Sequence, residues 1–437
     1  MILRSLLALT VLGLSPQTLD AADWPSFRGP FARGVADHEE LPESWNPETG
    51  ANVLWSREIP GTGHSSPIVV AGKVFVATAV TDGELEMVLG DTRTAMPKDT
   101  EREFSWRLYR LDAATGALDW VREAHTGSPR ANRHPKSSQA NATPAATQDS
   151  VVAIFASEGI VTFDFDGQER WRHDLGVLDP GLFGDPSSQW GHASSPTIHD
   201  GRVFVQVDRH SDSFIVAYDL ATGAELWKVE RQEKPVWATP TIHESDNRTQ
   251  LIVVGGDFDR GLDAATGKEL WRFERDLQVK TPTPFVADDR VVLAGGFRGM
   301  ELHAISIEAE GDVEGEELLW TSGNGGPYTS TPVAYRGRVF YARDTGILNV
   351  LDLRTGERLH RRRLDTTISA SPVASDGRVF FVSEVGEVHI LSAEPPFEEL
   401  AAIDMGEPCM STPAIAGGTM FVRCRSRIWA IARHAGL

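Results

Sequence analysis

The chain has 437 residues, 41% of them hydrophobic and 40 of them glycine, enough to bury a large core. Its net charge of -20, from 42 Lys plus Arg against 62 Asp plus Glu, favours solubility and speaks against nucleic acid or an anionic bilayer as its main partner.

At the N-terminus, Arg4 precedes an apolar run over residues 5–14 that is too short to span a bilayer and has the form of a signal peptide. Cleavage is expected near Ala22, although Asp20 stands where a small residue is usual, making 1–22 a leader and 23–437 one mature domain. No later segment approaches the roughly 20 apolar residues of a transmembrane helix. Export to the periplasm or beyond the cell is therefore expected.

The rest of the chain repeats. A phrase of two small residues and a proline, followed by an apolar strand, recurs at Pro67, Pro144, Pro196, Pro240, Pro284, Pro332, Pro372 and Pro413. The spacings are 77, 52, 44, 44, 48, 40 and 41, mostly the roughly 40 to 50 residues of a four-stranded propeller blade. The two long intervals hold insertions. A second strand follows each phrase (KVFVA, RVFVQV, RVFFVS), and a third ends at an Asp turn: LDAATG at Asp112, YDLATG at Asp219, LDAATG at Asp263, LDLRTG at Asp352 and a shorter FDFDG at Asp164. These aspartates read as turn caps and not as catalysts, with Gly accepting a positive φ. Trp120, Trp171, Trp227, Trp271 and Trp320 mark the fourth strands, with His360 and the segment at Leu400 replacing the aromatic in two blades. They are expected to wedge between neighbouring blades.

The last repeat ends at RIWAI, too close to Leu437 for another strand, while NVLW at Trp55 has the form of a fourth strand. The expectation is an all-β, eight-bladed propeller of four-stranded antiparallel blades, with residues 52–57 completing blade 8 and closing the ring. The D-x-x-T-G turns followed by Trp resemble the pyrroloquinoline-quinone (PQQ) repeat propellers. That resemblance implies either a non-enzymatic scaffold like the BamB-type outer-membrane assembly factors or a PQQ- and calcium-dependent dehydrogenase. The second branch carries an adjacent cysteine pair, and this chain has only Cys409 and Cys424. The scaffold reading is favoured, with no catalytic residue or cofactor expected, a protein or small anionic ligand as partner, and a monomeric chain.

Blade topology puts the loops after second and fourth strands on one face, and the insertions 79–105, 123–141 and 174–192 all fall there, leaving the other face bare. Around the funnel on the decorated face the candidate ligand-binding residues are His64, Trp190, His192, Trp237, Lys280 and Tyr328. Turn tips add Glu158, Asp208 and Asp257 on one half of the rim, and Arg298, Arg343 and Arg425 on the other. A basic half-rim for an anionic group is the expectation. The histidines lack a metal-ligand spacing, so no metal site is expected. Cys409 and Cys424 flank the hairpin at Gly417, either as a cross-strand disulfide or as two free thiols.

Overall fold

The second strands are buried along nearly their whole length, as in Arg202–Val207 and Arg378–Val382, because each sheet is sandwiched between two others. A computed structural model describes residues 23–433 apart from 38, 84, 86, 91–96, 186, 276, 298–299 and 324. The expected signal peptide and Arg298 lie outside the described residues. The described residues form eight sheets arranged as an eight-bladed propeller. Blade 1, for example, consists of Ile68–Val70, Lys73–Thr81, Phe104–Asp112 and Leu118–Gly127. Val53–Glu58 pairs antiparallel with Arg427–Ala432 and is the outer strand of blade 8, so the ring closes as expected.

Three boundaries differ from the sequence reading. The first insertion is shorter, 82–103, because its flanking strands extend to Thr81 and start at Phe104. Blade 4 has a fifth strand: Gly311–Asp312, from the last connection of blade 5, lies parallel to the outer strand Glu269–Glu274. In blade 7 the tryptophan position is filled by Ala401, opposite Ile390, while Leu400 is exposed.

The phrase before each proline does more than avoid crowding. A backbone N–H of one blade donates to the hydroxyl preceding the proline of the next: Ser66 to Thr143 Oγ1 at 2.9 Å, then Thr143 to Ser195, Ser195 to Thr239 and Thr239 to Thr283. The belt continues through Thr331, Ser371 and Thr412. Small hydroxyl residues are required there because the inner strands supply donors that face a neighbouring blade and not water.

The outer tryptophans tie the blades at the other end. Trp55, Trp120, Trp171, Trp227 and Trp320 each donate Nε1 to the carbonyl just after the turn aspartate of the next blade: Ala113, Phe165, Leu220, Ala264 and Leu353. The turn aspartates accept from Thr as expected, as in Asp219 with Thr222. Gly116 and Gly356 have φ near +70°, and a Cβ there would meet the docked tryptophan at 2.6 and 2.7 Å. Glycine thus serves both the turn and the close approach. Blade 5 lacks this turn, and Trp271 instead bonds Gln250 within its own blade.

The face expected to be bare is covered. Residues 23–45 cross it: Trp24 pairs with Val69 of blade 1, Val35 with Ala374 of blade 7, and the Glu39 carboxylate accepts N–H groups of Gly417 and Gly418 in blade 8. Arg28 enters the axis from this side, and Leu41 and Trp45 join the core of blades 7 and 8. Cys409 and Cys424 form a disulfide within blade 8.

Candidate functional site

On the opposite face the insertions are single-copy segments, and buried charge holds them together. Arg133 Nε lies 2.7 Å from Asp99 Oδ2, both side chains buried, which joins the loop after blade 1 to the insertion within it. Lys136 then reaches over the mouth to Glu384 of blade 7 at 2.5 Å. The other Glu384 oxygen accepts the Gly90 N–H at 2.7 Å, and the Ser369 hydroxyl completes the site. A buried carboxylate so surrounded is well compensated. Beside it the Asp344 carboxyl is held above the usual range by burial, although Thr329 donates both its N–H and its hydroxyl to it.

Two of the predicted aromatic residues, Trp190 and Trp237, come together. The Trp190 ring lies 5.7 Å from Trp237 and 5.6 Å from His134, while Trp237 Nε1 donates to Gly191 at 2.7 Å. Their common role is to pin the insertion after blade 2 against blade 4. His64 stands among Arg423, Arg133 and Lys136, and burial with these cations pushes its imidazole down to about 3. His192 is buried, with Nε2 lacking a partner among the described residues, and burial lowers it to about 4. Tyr328 is pushed up to about 12 by burial and by Asp344, and it packs 6.2 Å from Phe297.

His192 carries a pH prediction. In the fold it stays neutral down to about 4, whereas the unfolded chain protonates near 6.5, so its contribution is complete above pH 6.5 and lost as pH falls toward 4. The loss is about 3 kcal/mol. Urea unfolding at pH 7 and pH 4.5 is expected to show a smaller acid penalty in His192→Gln than in the parent; equal penalties would remove His192 from this role.

Among the described residues, Arg298 not being one of them, no rim divided by sign is seen. Lys280 is fully buried, its ammonium donating to Gly255 O at 2.6 Å and lying 3.2 Å from Asp259, so it is not a rim cation. Asp208 is buried with Arg231, Asp257 pairs with Lys234, and Glu158 with His125. The half expected to be basic contains Asp344 and Glu384. Arg343 is half-buried with Nη2 3.6 Å from Met300 Sδ, and the half-buried Arg425 donates its backbone N–H to Pro408.

Open space lies off the axis. A cleft of about 670 Å³ between blades 3 and 4 is lined by Phe183, Arg209, His210, Phe214, Lys228 and Lys234, among others. Phe183 is exposed, with Lys234 Nζ 5.8 Å above its ring, and Lys228 Nζ lies 4.3 Å above Phe214. Arg209 and Lys228 have no carboxylate partner among the described residues, and His210 Nε2 is buried without one. Sequence reasoning missed this cleft, although the run KVERQEK at 228–234 places three of its cations on one strand and its exit. No group of three or more His, Cys, Asp or Glu able to hold a metal ion is found among the described residues, and none of their helices is long and apolar enough to cross a membrane.

The architecture is that of a closed eight-bladed propeller with loops folded over one mouth and an N-terminal segment over the other. The family model described as outer membrane protein assembly factor BamB matches residues 36–182 and 211–436, and the chain belongs to that family. Among solved structures, BamB from Moraxella catarrhalis superposes with a TM-score of 0.58 at 14% identity, covering 88% of this chain and 99% of that one. A europium-containing methanol dehydrogenase gives 0.66 at 11% identity, covering 92% and 89%. The quinohemoprotein alcohol dehydrogenase of Comamonas testosteroni gives 0.66 at 13%, covering 95% and 81%. At these identities the likeness shows the fold alone. No curated protein matches the sequence.

Proposed function

We propose that the protein is an exported, monomeric, non-catalytic binding scaffold that holds a protein partner or a small anionic group on its decorated face. The observation that carries this reading is the filling of the mouth by the chain's own insertions, with Lys136 and Gly90 bound to Glu384 and Trp190 laid on Trp237. PQQ with calcium would need a flat slot and a set of oxygen donors there. The residues present do not fit that pair: the acids at the mouth are already engaged, and no adjacent cysteines are available to pack on a quinone.

The cleft beside blades 3 and 4 supplies what a binding site needs: an exposed aromatic ring, two cations without carboxylates and an unfilled volume. Trp190, Arg343 and Arg425 extend that face and remain proposed contacts. Export is supported by the apolar run at 5–14 and by the Cys409–Cys424 disulfide, which belongs to an oxidising compartment. Purified protein supplied with PQQ, Ca²⁺, a primary alcohol and an electron acceptor is expected to show no turnover and no quinone absorbance after gel filtration. Quinone-dependent oxidation would reverse the reading in favour of a dehydrogenase.

A further inference from the structure

The fifth strand of blade 4 shows what the outer edge of a blade in this protein accepts. Gly311 and Asp312 pair with Trp271 and Arg272, the Val313 N–H donates to Arg272 O at 2.8 Å, and the Asp312 carboxylate lies 2.5 Å from Arg272 Nε. Val313 is buried with Trp271, and Leu270 packs against the same cluster. The segment that supplies this strand, EAEGDVEGEE at 308–317, has six acidic residues in ten. An acidic extended segment is therefore held by main-chain pairing, one arginine and the burial of Val313 in the cluster of Trp271.

Blade 6 repeats the receiving half of this arrangement, and among the described residues no strand lies on it. Trp271 faces Gly261 and His360 faces Val350, each just before the same irregularity, so Arg361 takes the place of Arg272 and Leu359 that of Leu270. The strand Arg358–Arg363 is the last of its sheet, and Leu359 is 45% exposed. Arg358 and Arg361 are exposed and have no ion pair among the described residues. Arg172, at the same position in blade 2, is held by Glu169. Arginines on an open edge also discourage self-pairing, but an isolated charge suffices for that, and here four of six residues are arginine on a protein of charge -20.

We propose that the outer edge of blade 6 binds an acidic, extended peptide segment of a partner by strand addition, with a carboxylate on Arg361. This edge is separate from the cleft, and the inference stands without the preceding functional reading. Strand addition takes its affinity from main-chain bonds and its specificity from alternate side chains.

The test titrates a fluorescein-labelled peptide of sequence EAEGDVEGEE against the full chain and follows anisotropy and amide hydrogen exchange. Saturable binding is expected, with new protection over 358–363 and none added over 269–274. Arg358→Glu with Arg361→Glu, both on the surface, should weaken it at least tenfold, as should methylation of alternate peptide nitrogens, which preserves charge and removes pairing. Unchanged affinity in the double variant, equal binding of the methylated peptide, or protection confined to other strands would each overturn the proposal. So would arginine-dependent capture by phosphatidylglycerol vesicles without any peptide protection, which would assign the patch to a lipid surface.

Discussion

Deleting residues 52–57 is expected to cost more than about 5 kcal/mol of stability, the largest effect of any short change outside the inner strands. The segment loses its ladder with Arg427–Ala432, and with it the contact of Trp55 with Phe421 at 5.9 Å. It also loses two of the bonds that hold blade 8 to blade 1, Trp55 Nε1 to Ala113 O at 2.9 Å and Arg57 Nη1 to Gly116 O at 2.9 Å, leaving those of Arg423 to Ser65 and Ala77. Neighbouring blades are joined by connecting chain, blades 8 and 1 by residues 59–67, and the ring is closed without a covalent link only inside blade 8, at the ladder of Val53–Glu58 with Arg427–Ala432, so the loss is concentrated where the ring has no covalent reserve. Trp55→Ala, which keeps the strand, should cost about 2–3 kcal/mol, since the ring is only partly buried. Urea unfolding followed by circular dichroism measures both. A deletion variant with the parent midpoint would show that the propeller stands without this closure.

That closure was readable because a propeller is built from local rules repeated. The D-x-x-T-G turn needs Asp and Thr to cap it and Gly for a positive φ, and the same glycine must be bare for the tryptophan of the preceding blade to dock. Each demand acts within one blade or between consecutive blades, so it leaves a period in the sequence. The hydroxyl before each proline left the same trace, although its role as acceptor for the neighbouring blade arises only once the inner strands stand side by side.

The mouth left no such trace. Lys136 and Glu384 are 248 residues apart, and Asp99 and Arg133 lie on insertions that occur once, so neither pair has a repeat to set it against. Tip residues taken for a charged rim, such as Asp208, proved to be buried partners because outer-strand arginines such as Arg231 turn inward at the same level. A sequence gives the sign of a side chain but not the direction in which an irregular loop returns it. The cover on the opposite face was hidden for the same reason: 23–45 has neither the strand period nor the repeat phrase, and its anchors are scattered over five blades.

Arg28 is the anchor whose loss should be felt most among these. Its guanidinium is fully buried, with no ion pair among the described residues, and burial lowers it to about 9. Three of its five hydrogen bonds go to inner-strand carbonyls of blades 6 and 7: Thr331 O at 3.2 Å, Pro332 O at 2.7 Å and Pro372 O at 3.1 Å. The other two, to Ala32 O and Arg33 O, hold the turn that carries it, where Arg28, Phe31 and Ala32 all have positive φ. Those conformations cost about 1 kcal/mol each or more and persist only while the side chain is fixed. In Arg28→Met the volume is roughly kept, but three buried carbonyls lose their donor and the strained turn loses its hold. The expected cost is about 3–5 kcal/mol, a melting temperature lower by roughly 5 °C. Hydrogen exchange should locate the loss, with amides of 23–45 exchanging faster while the outer strands keep their protection. Arg28→Lys, which retains the charge but reaches fewer carbonyls, should recover part of the loss. If Arg28→Met melts with the parent and 23–45 stays protected, the segment is held by Trp24, Leu41 and Trp45 alone, and the cation in the axis is dispensable.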